Sequence, residues 1–120
     1  MNKDKFLIFQ DKSLLDALAQ IEKNNHGVIF TINESDQVTG LLTDGDIRRY
    51  LLQGNSSLED PVSLCTNIEF LWESPSSSRE LLMKKLDHRI RVLPILDKNK
   101  KLIDIVSRDY LPLQEERAVY

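Results

Sequence analysis

The sequence predicts an α/β (α+β) chain made of two tandem β-α-β-β-α units packed about a pseudo-two-fold axis. Three observations predict it. The segment Gly27–Thr43 and the segment Arg91–Ser107 share one pattern: apolar strand, polar turn, apolar strand, closing hydroxyl residue, with no gap between them. Each strand pair follows a run with apolar positions at helical spacing. Each is followed by a second helix start. Neither half carries enough apolar surface to stand alone, so the two are expected to complete each other.

Taken in order, Phe6–Phe9 reads as an opening strand. Ser13 is placed to cap a helix through Leu14, Leu15, Leu18 and Ile21, ending near His26. Val28 begins the first hairpin, Asn33–Asp36 supplies turn residues, and Val38–Thr43 is the return strand. A helix is expected from Asp44 to Leu52. The second copy opens less clearly, on Ile68–Leu71. Ser77 and Glu80 have capping-box spacing ahead of Leu81, Leu82 and Leu86, with His88 beyond. The second hairpin turns at Asp97–Lys100, and Val28, Val38 and Thr43 correspond to Val92, Leu102 and Ser107. A short helix Arg108–Leu111 is expected to stop at Pro112. The expected organisation is therefore 1–54 first unit, 55–67 linker, 68–112 second unit and 113–120 polar tail or linker.

Composition narrows the function. The 120 residues are 41% hydrophobic and 29% charged, as in ordinary globular domains. Sixteen basic residues against 19 acidic ones give a formal net charge of -3, without the basic excess of a nucleic-acid module or a polybasic membrane signal. Neither nucleic acid nor membrane is an expected partner. One cysteine, Cys65, excludes an internal disulfide and a thiolate zinc site, and reads as an apolar filler. The run Phe6–Phe9 is too short for a signal segment or a membrane span, so a cytoplasmic location is expected. Trp72 and Phe70 read as core or interface residues, and the two histidines as partial cations at helix ends.

The run Gly40-Leu-Leu-Thr43-Asp44-Gly45-Asp46-Ile-Arg48-Arg49 resembles the signature of cystathionine-β-synthase (CBS) domains: glycine, two apolar residues, Ser/Thr, two variable residues, Asp. Arg91-Val-Leu-Pro-Ile-Leu-Asp97 followed by Lys101–Ser107 resembles the same module a second time, so the resemblance spans about Phe6 to Pro112. Two such motifs form a Bateman module. The fuller string is similar to CBS pairs attached to arabinose-5-phosphate isomerases and sugar-1-phosphate nucleotidyltransferases.

The resemblance implies a non-catalytic regulatory module that binds a nucleotide such as AMP, ADP or ATP between its motifs, needs no cofactor or metal, and forms a homodimer. It also implies a covalently linked enzyme domain, a nucleotidyltransferase in the leading reading, placed after Tyr120. The expected ligand-binding residues are Thr43, Asp44, Gly45, Asp46, Arg48, Ile29, Arg91, Ser107 and Asp109. Thr43 would bring a hydroxyl to a helix start whose N–H groups favour phosphate. Asp46 would accept from ribose hydroxyls, Gly45 would admit close approach, and Arg48 or Arg49 would neutralise phosphate charge. Ile29, with Val28, would sandwich a base, while Arg91 stands at a phosphate-contact position of the family. Two departures weaken the second site: Asp104 replaces a glycine, where its carboxylate would repel phosphate, and Asp109 comes one residue early after Ser107.

Other readings of the same residues stand beside this one. Thr43-x-x-Asp46 is also a helix capping box that needs no ligand. Arg48 and Arg49 can be solvated helix charges. A ligand-free dimerisation scaffold is a second function. Asp44-Gly-Asp46 after an apolar strand also has the look of a magnesium-dependent phosphatase motif, although that leaves the repeat unexplained.

Overall fold

In the computed structural model, which describes residues 2–111, the repeat extends to single backbone hydrogen bonds. Strands β2 (Val28–Ile32) and β3 (Val38–Thr43) pair antiparallel with Val28 opposite Thr43, and the register shifts between Thr31 and Ile32. Strands β4 (Val92–Leu96) and β5 (Leu102–Ser107) pair with Val92 opposite Ser107, and shift at the same place, between Ile95 and Leu96. The turns also match. Asn33 and Asp97 each accept two backbone N–H groups on their side-chain oxygen, and Asp36 and Lys100 both adopt positive φ, 62° and 64°. Side chains that cap a turn in this way fix hairpin register, which is why the pattern was legible without a gap.

The chain divides into two units, the first being Asn2–Phe70 and the second beginning at Leu71. In the first, β1 (Leu7–Phe9) lies parallel to β2, giving the sheet order β1-β2-β3. Helix α1 (Leu14–Asn24) makes the crossover between them, with Ser13 Oγ accepting from Asp16 N–H as its N-cap. Its core face is Leu14, Ala17 and Ile21, while Leu15 is exposed and Leu18 half-buried. Leu15 therefore lies off the core stripe to which the spacing assigned it. Helix α2 (Asp44–Leu51) follows β3 directly and sends Ile47 into the same core, beside Ile8, Ile29, Leu42 and Val62.

Val62 corrects the expected linker. Residues 55–67 are folded onto the first unit: Leu14 and Leu15 N–H donate to Asp60 and Leu58 carbonyls, and Val62 N–H to Lys12. Asn67 exchanges both backbone hydrogen bonds with Leu41, adding a rung to the outer edge of β3. That rung explains Gly40. A methyl group there would meet the Thr66 methyl group, and would stand 2.9 Å from the Asn67 carbonyl.

The second unit is built around Leu82, Leu86, Leu93, Ile95 and Val106. Helix α3 (Arg79–Lys85) is capped by Ser78, whose Oγ accepts from Leu81 N–H, rather than by Ser77. Ser77 is buried and donates instead to Glu73. Two expected elements are replaced. No strand forms at Ile68–Leu71; the parallel partner of β4 is a single bridge, Glu73 with Ile95. Glu73 N–H donates to Pro94 carbonyl, and Leu96 N–H to Glu73 carbonyl. Extending that ladder backward would need an N–H on residue 94 to reach the Leu71 carbonyl, and proline has none. Nor does a helix form at Arg108–Leu111. Ser107 and Tyr110 exchange backbone hydrogen bonds across an Arg108–Asp109 turn. With Pro112 next, no helical turn has room to propagate. Pro112 and the expected tail lie outside the described residues.

Candidate functional site

The end of β3 and the start of α2 place five of the expected residues together. Thr43 Oγ1 accepts from Asp46 N–H and Asp46 Oδ2 accepts from Thr43 N–H, each at 3.0 Å, so the capping box is formed. The remaining donors at this helix start are also taken. Asp44 N–H donates to Gly27 carbonyl at 3.3 Å, and Gly45 N–H to Asp44 Oδ1 at 2.9 Å. The free N–H groups expected to receive a phosphate are therefore bonded within the chain. The guanidinium groups are engaged as well: Arg48 Nη1 lies 3.3 Å from Asp44 Oδ2 and Arg49 Nη2 lies 2.5 Å from Asp46 Oδ1. Both fold back over Gly45, where a methyl group would stand 3.4 Å from Arg49 Nη1 and 3.7 Å from Arg48 Nη2. The first copy thus supplies its own anions to its own helix start and arginines.

Ile29, expected against a base, has no exposed surface and packs into the first core. It lies on β2, whose first four residues are all buried, so its side chain serves packing. Behind the site, Cys65 packs against this core, and burial, then the negative charge of Asp46, pushes its thiol up in pKa. That suits a filler better than a nucleophile. Asp44 and Asp46 are each committed to a different arginine, and among the described residues no group of three or more His, Cys, Asp or Glu is arranged to hold a metal.

The second copy differs at the hairpin end. Ser107, at the repeat position of Thr43, is 5% exposed, and its Oγ has no hydrogen-bond partner. Its backbone pairs with Tyr110, while Val92 lies opposite it across the hairpin. That register sets the exposed Arg91 and Arg108 at the same end of the hairpin. Arg108 Nη2 donates to the Leu86 carbonyl at 2.5 Å. Asp109 is exposed on the turn, so it does not reproduce the reach of Asp46. Asp104, read as repelling phosphate, also has a local role. Its carboxylate accepts the N–H of Ile105, the residue corresponding to Leu41, whose N–H in the first copy goes to Asn67. Glycine is needed at Gly40 for the crossing chain, and Asp104 instead covers the matching donor.

Two contributors escaped sequence reading. Arg108 lies at the Arg91 end of the second hairpin and donates to the Leu86 carbonyl. Asn24 is buried and ties three segments together, donating to Lys5 and Val28 carbonyls and accepting from His26 N–H. Nothing in its spacing marks that role. No helix among the described residues is long and apolar enough to cross a membrane.

Comparison with known proteins agrees with the geometry. Residues 1–53 match the CBS domain family. The arabinose 5-phosphate isomerase GutQ of Salmonella typhi is 31% identical over 99 residues, which cover 79% of this chain and 30% of that protein. The chain thus spans under a third of the length of such relatives. A putative signal-transduction protein with CBS domains from Burkholderia ambifaria superposes with a TM-score of 0.69 at 27% identity, covering 85% of this chain and 75% of that one. The cytosolic domain of the Mg2+ channel MgtE, solved in complex with ATP, superposes with a TM-score of 0.70 at 16% identity, over 86% of this chain and 42% of that one. With the repeat, the Gly40–Asp46 signature and these likenesses together, residues 1–53 belong to the CBS domain family.

Proposed function

We propose that the chain is a non-catalytic regulatory module that binds a nucleotide and self-associates as a homodimer, within a larger protein acting on sugar phosphates. The observation that carries the ligand reading is Ser107. A buried hydroxyl without a partner costs about 1–3 kcal/mol, and such a cost is tolerated where a ligand supplies the missing bond. The MgtE domain, with the same fold, was solved with ATP, which supports an adenine nucleotide here. The GutQ likeness supports an isomerase as the linked enzyme rather than the nucleotidyltransferase expected first. The candidate contacts are Arg91, Ser107 and Asp109 in the second copy and Thr43, Asp44, Gly45, Asp46 and Arg48 in the first.

The self-bonded start of α2 favours one alternative, a scaffold that dimerises and binds nothing. Calorimetric titration of the chain with AMP, ADP, ATP, CMP and sugar nucleotides separates the two. Saturable binding of at least one nucleotide, weakened in Ser107→Ala, is expected. No binding by any of them at millimolar concentration sinks the ligand reading and leaves the scaffold.

A further inference from the structure

We propose that two copies of this chain associate through the tips of their hairpins, the acidic tip of one copy meeting the basic tip of the other. This rests on the self-association reading above and names its contact surface. The two tips share one backbone. Asn33 and Asp97 each accept two backbone N–H groups, and Asp36 and Lys100 both take positive φ, so equivalent side chains are displayed alike. Their charges are opposite. The first tip, Asn33-Glu34-Ser35-Asp36-Gln37, carries two carboxylates and no cation. The second, Asp97-Lys98-Asn99-Lys100-Lys101, carries three lysines against one aspartate, whose Oδ1 is occupied by the N–H groups of Asn99 and Lys101.

Glu34, Asp36, Lys98, Lys100 and Lys101 are all exposed, and none of them forms an ion pair among the described residues. Each tip also has a partly uncovered aromatic ring beside it. Phe9, 38% exposed, pairs with Ile32, the residue before the first tip. Trp72, 37% exposed, lies under Lys100, whose Nζ stands 6.0 Å from the ring centre. The rings supply apolar area to bury, and the charges decide which tip meets which. Two like tips would oppose like charges, so the contact runs from first hairpin to second. In a pair related by a two-fold axis it forms twice. A second copy is the occupant because it brings both the matching charge and the matching ring. The tips lie at the far end of each hairpin from Thr43 and Ser107, so the contact uses none of the residues proposed for the nucleotide.

The test is sedimentation equilibrium of the full chain and of two charge-reversed variants, Glu34→Lys/Asp36→Lys and Lys98→Glu/Lys100→Asp. Each substitution installs the residue that the other copy carries at the same turn position, so the turn geometry, positive φ included, is one that residue already adopts. The unaltered chain is expected to self-associate, about fivefold or more weakly in about 500 mM salt than in about 50 mM, because exposed charges are screened. Each variant alone carries two like-charged tips and should associate at least about tenfold more weakly than the unaltered chain at low salt. Mixed in equal amounts, the two variants offer opposite tips again and should associate within about threefold of the unaltered chain. Recovery on mixing is a result that a misfolded variant could not give. Self-association untouched by either reversal, or no recovery from two variants that unfold as cooperatively as the unaltered chain, overturns the proposal while leaving self-association intact. A chain that stays monomeric at every concentration and both salts overturns both.

Discussion

Thr43 and Ser107 hold the same place in the repeat, yet their hydroxyls differ in what they touch. Thr43 closes a capping box, and Thr43→Ala should cost about 1 kcal/mol of stability in urea unfolding, with Thr43→Ser retaining most of it. The Thr-x-x-Asp spacing made that box legible. The orphaned hydroxyl of Ser107 was not, because only the tertiary surroundings decide whether a serine finds a partner. Cys65 behaves as its burial dictates. Its raised thiol pKa should slow alkylation by iodoacetamide at pH 8 relative to a free cysteine, and full-rate labelling of the folded chain would contradict that. Asp87 is shifted the other way, chiefly by the backbone N–H of Ile90, then that of Arg89. A carboxyl depressed on folding stabilises above its unfolded pKa, and the gain is lost as pH falls through the folded value. An NMR titration of Asp87 should therefore find its midpoint below the ordinary aspartate range, and acid should loosen the 87–90 turn last.

At the scale of elements, both hairpins and the three helices with hydroxyl caps were readable because alternation, helical spacing and turn chemistry are local. What failed depended on the partner chain. The opening strand of the second copy reads as apolar at Ile68–Leu71, but Pro94 removes the donor that would pair it, and the bridge moves to Glu73. There the Glu73 carboxylate accepts from Ser77 and pairs with Lys85, holding α3 to the remaining rung. The supposed linker looked polar, yet Val62 is fully buried and Asn67 pairs with Leu41. Gly40→Ala should therefore destabilise the chain by about 1–3 kcal/mol, as overpacking does, and Thr66→Ser should recover only part of it, because the Asn67 carbonyl still blocks the methyl. Chemical denaturation of the single and double variants checks this. Full tolerance of alanine would mean that the crossing segment does not lie where described.

For the whole molecule, the repeat was the feature that sequence disclosed best, since two copies of one pattern test each other. Their divergence was harder to read. Sequence favoured the first copy because its signature is complete, and the structure explains the completeness differently: Thr43 and Asp46 accept from each other's backbone, Asp44 accepts from Gly45 N–H, and the two aspartates pair with Arg48 and Arg49. The second copy forms a turn at Arg108–Asp109 where the first starts α2, and leaves the Ser107 hydroxyl unpartnered opposite Val92. The central claim is that this hydroxyl is kept for a ligand, and thermal unfolding of the chain and of Ser107→Ala, each with and without millimolar ATP, tests it directly. Without nucleotide, Ser107→Ala should unfold at the same temperature or up to about 5 °C higher, because an unpaired buried hydroxyl is removed. With ATP, the unaltered chain should gain several degrees more than the variant. A variant that melts lower without ATP and gains as much with it would contradict the account.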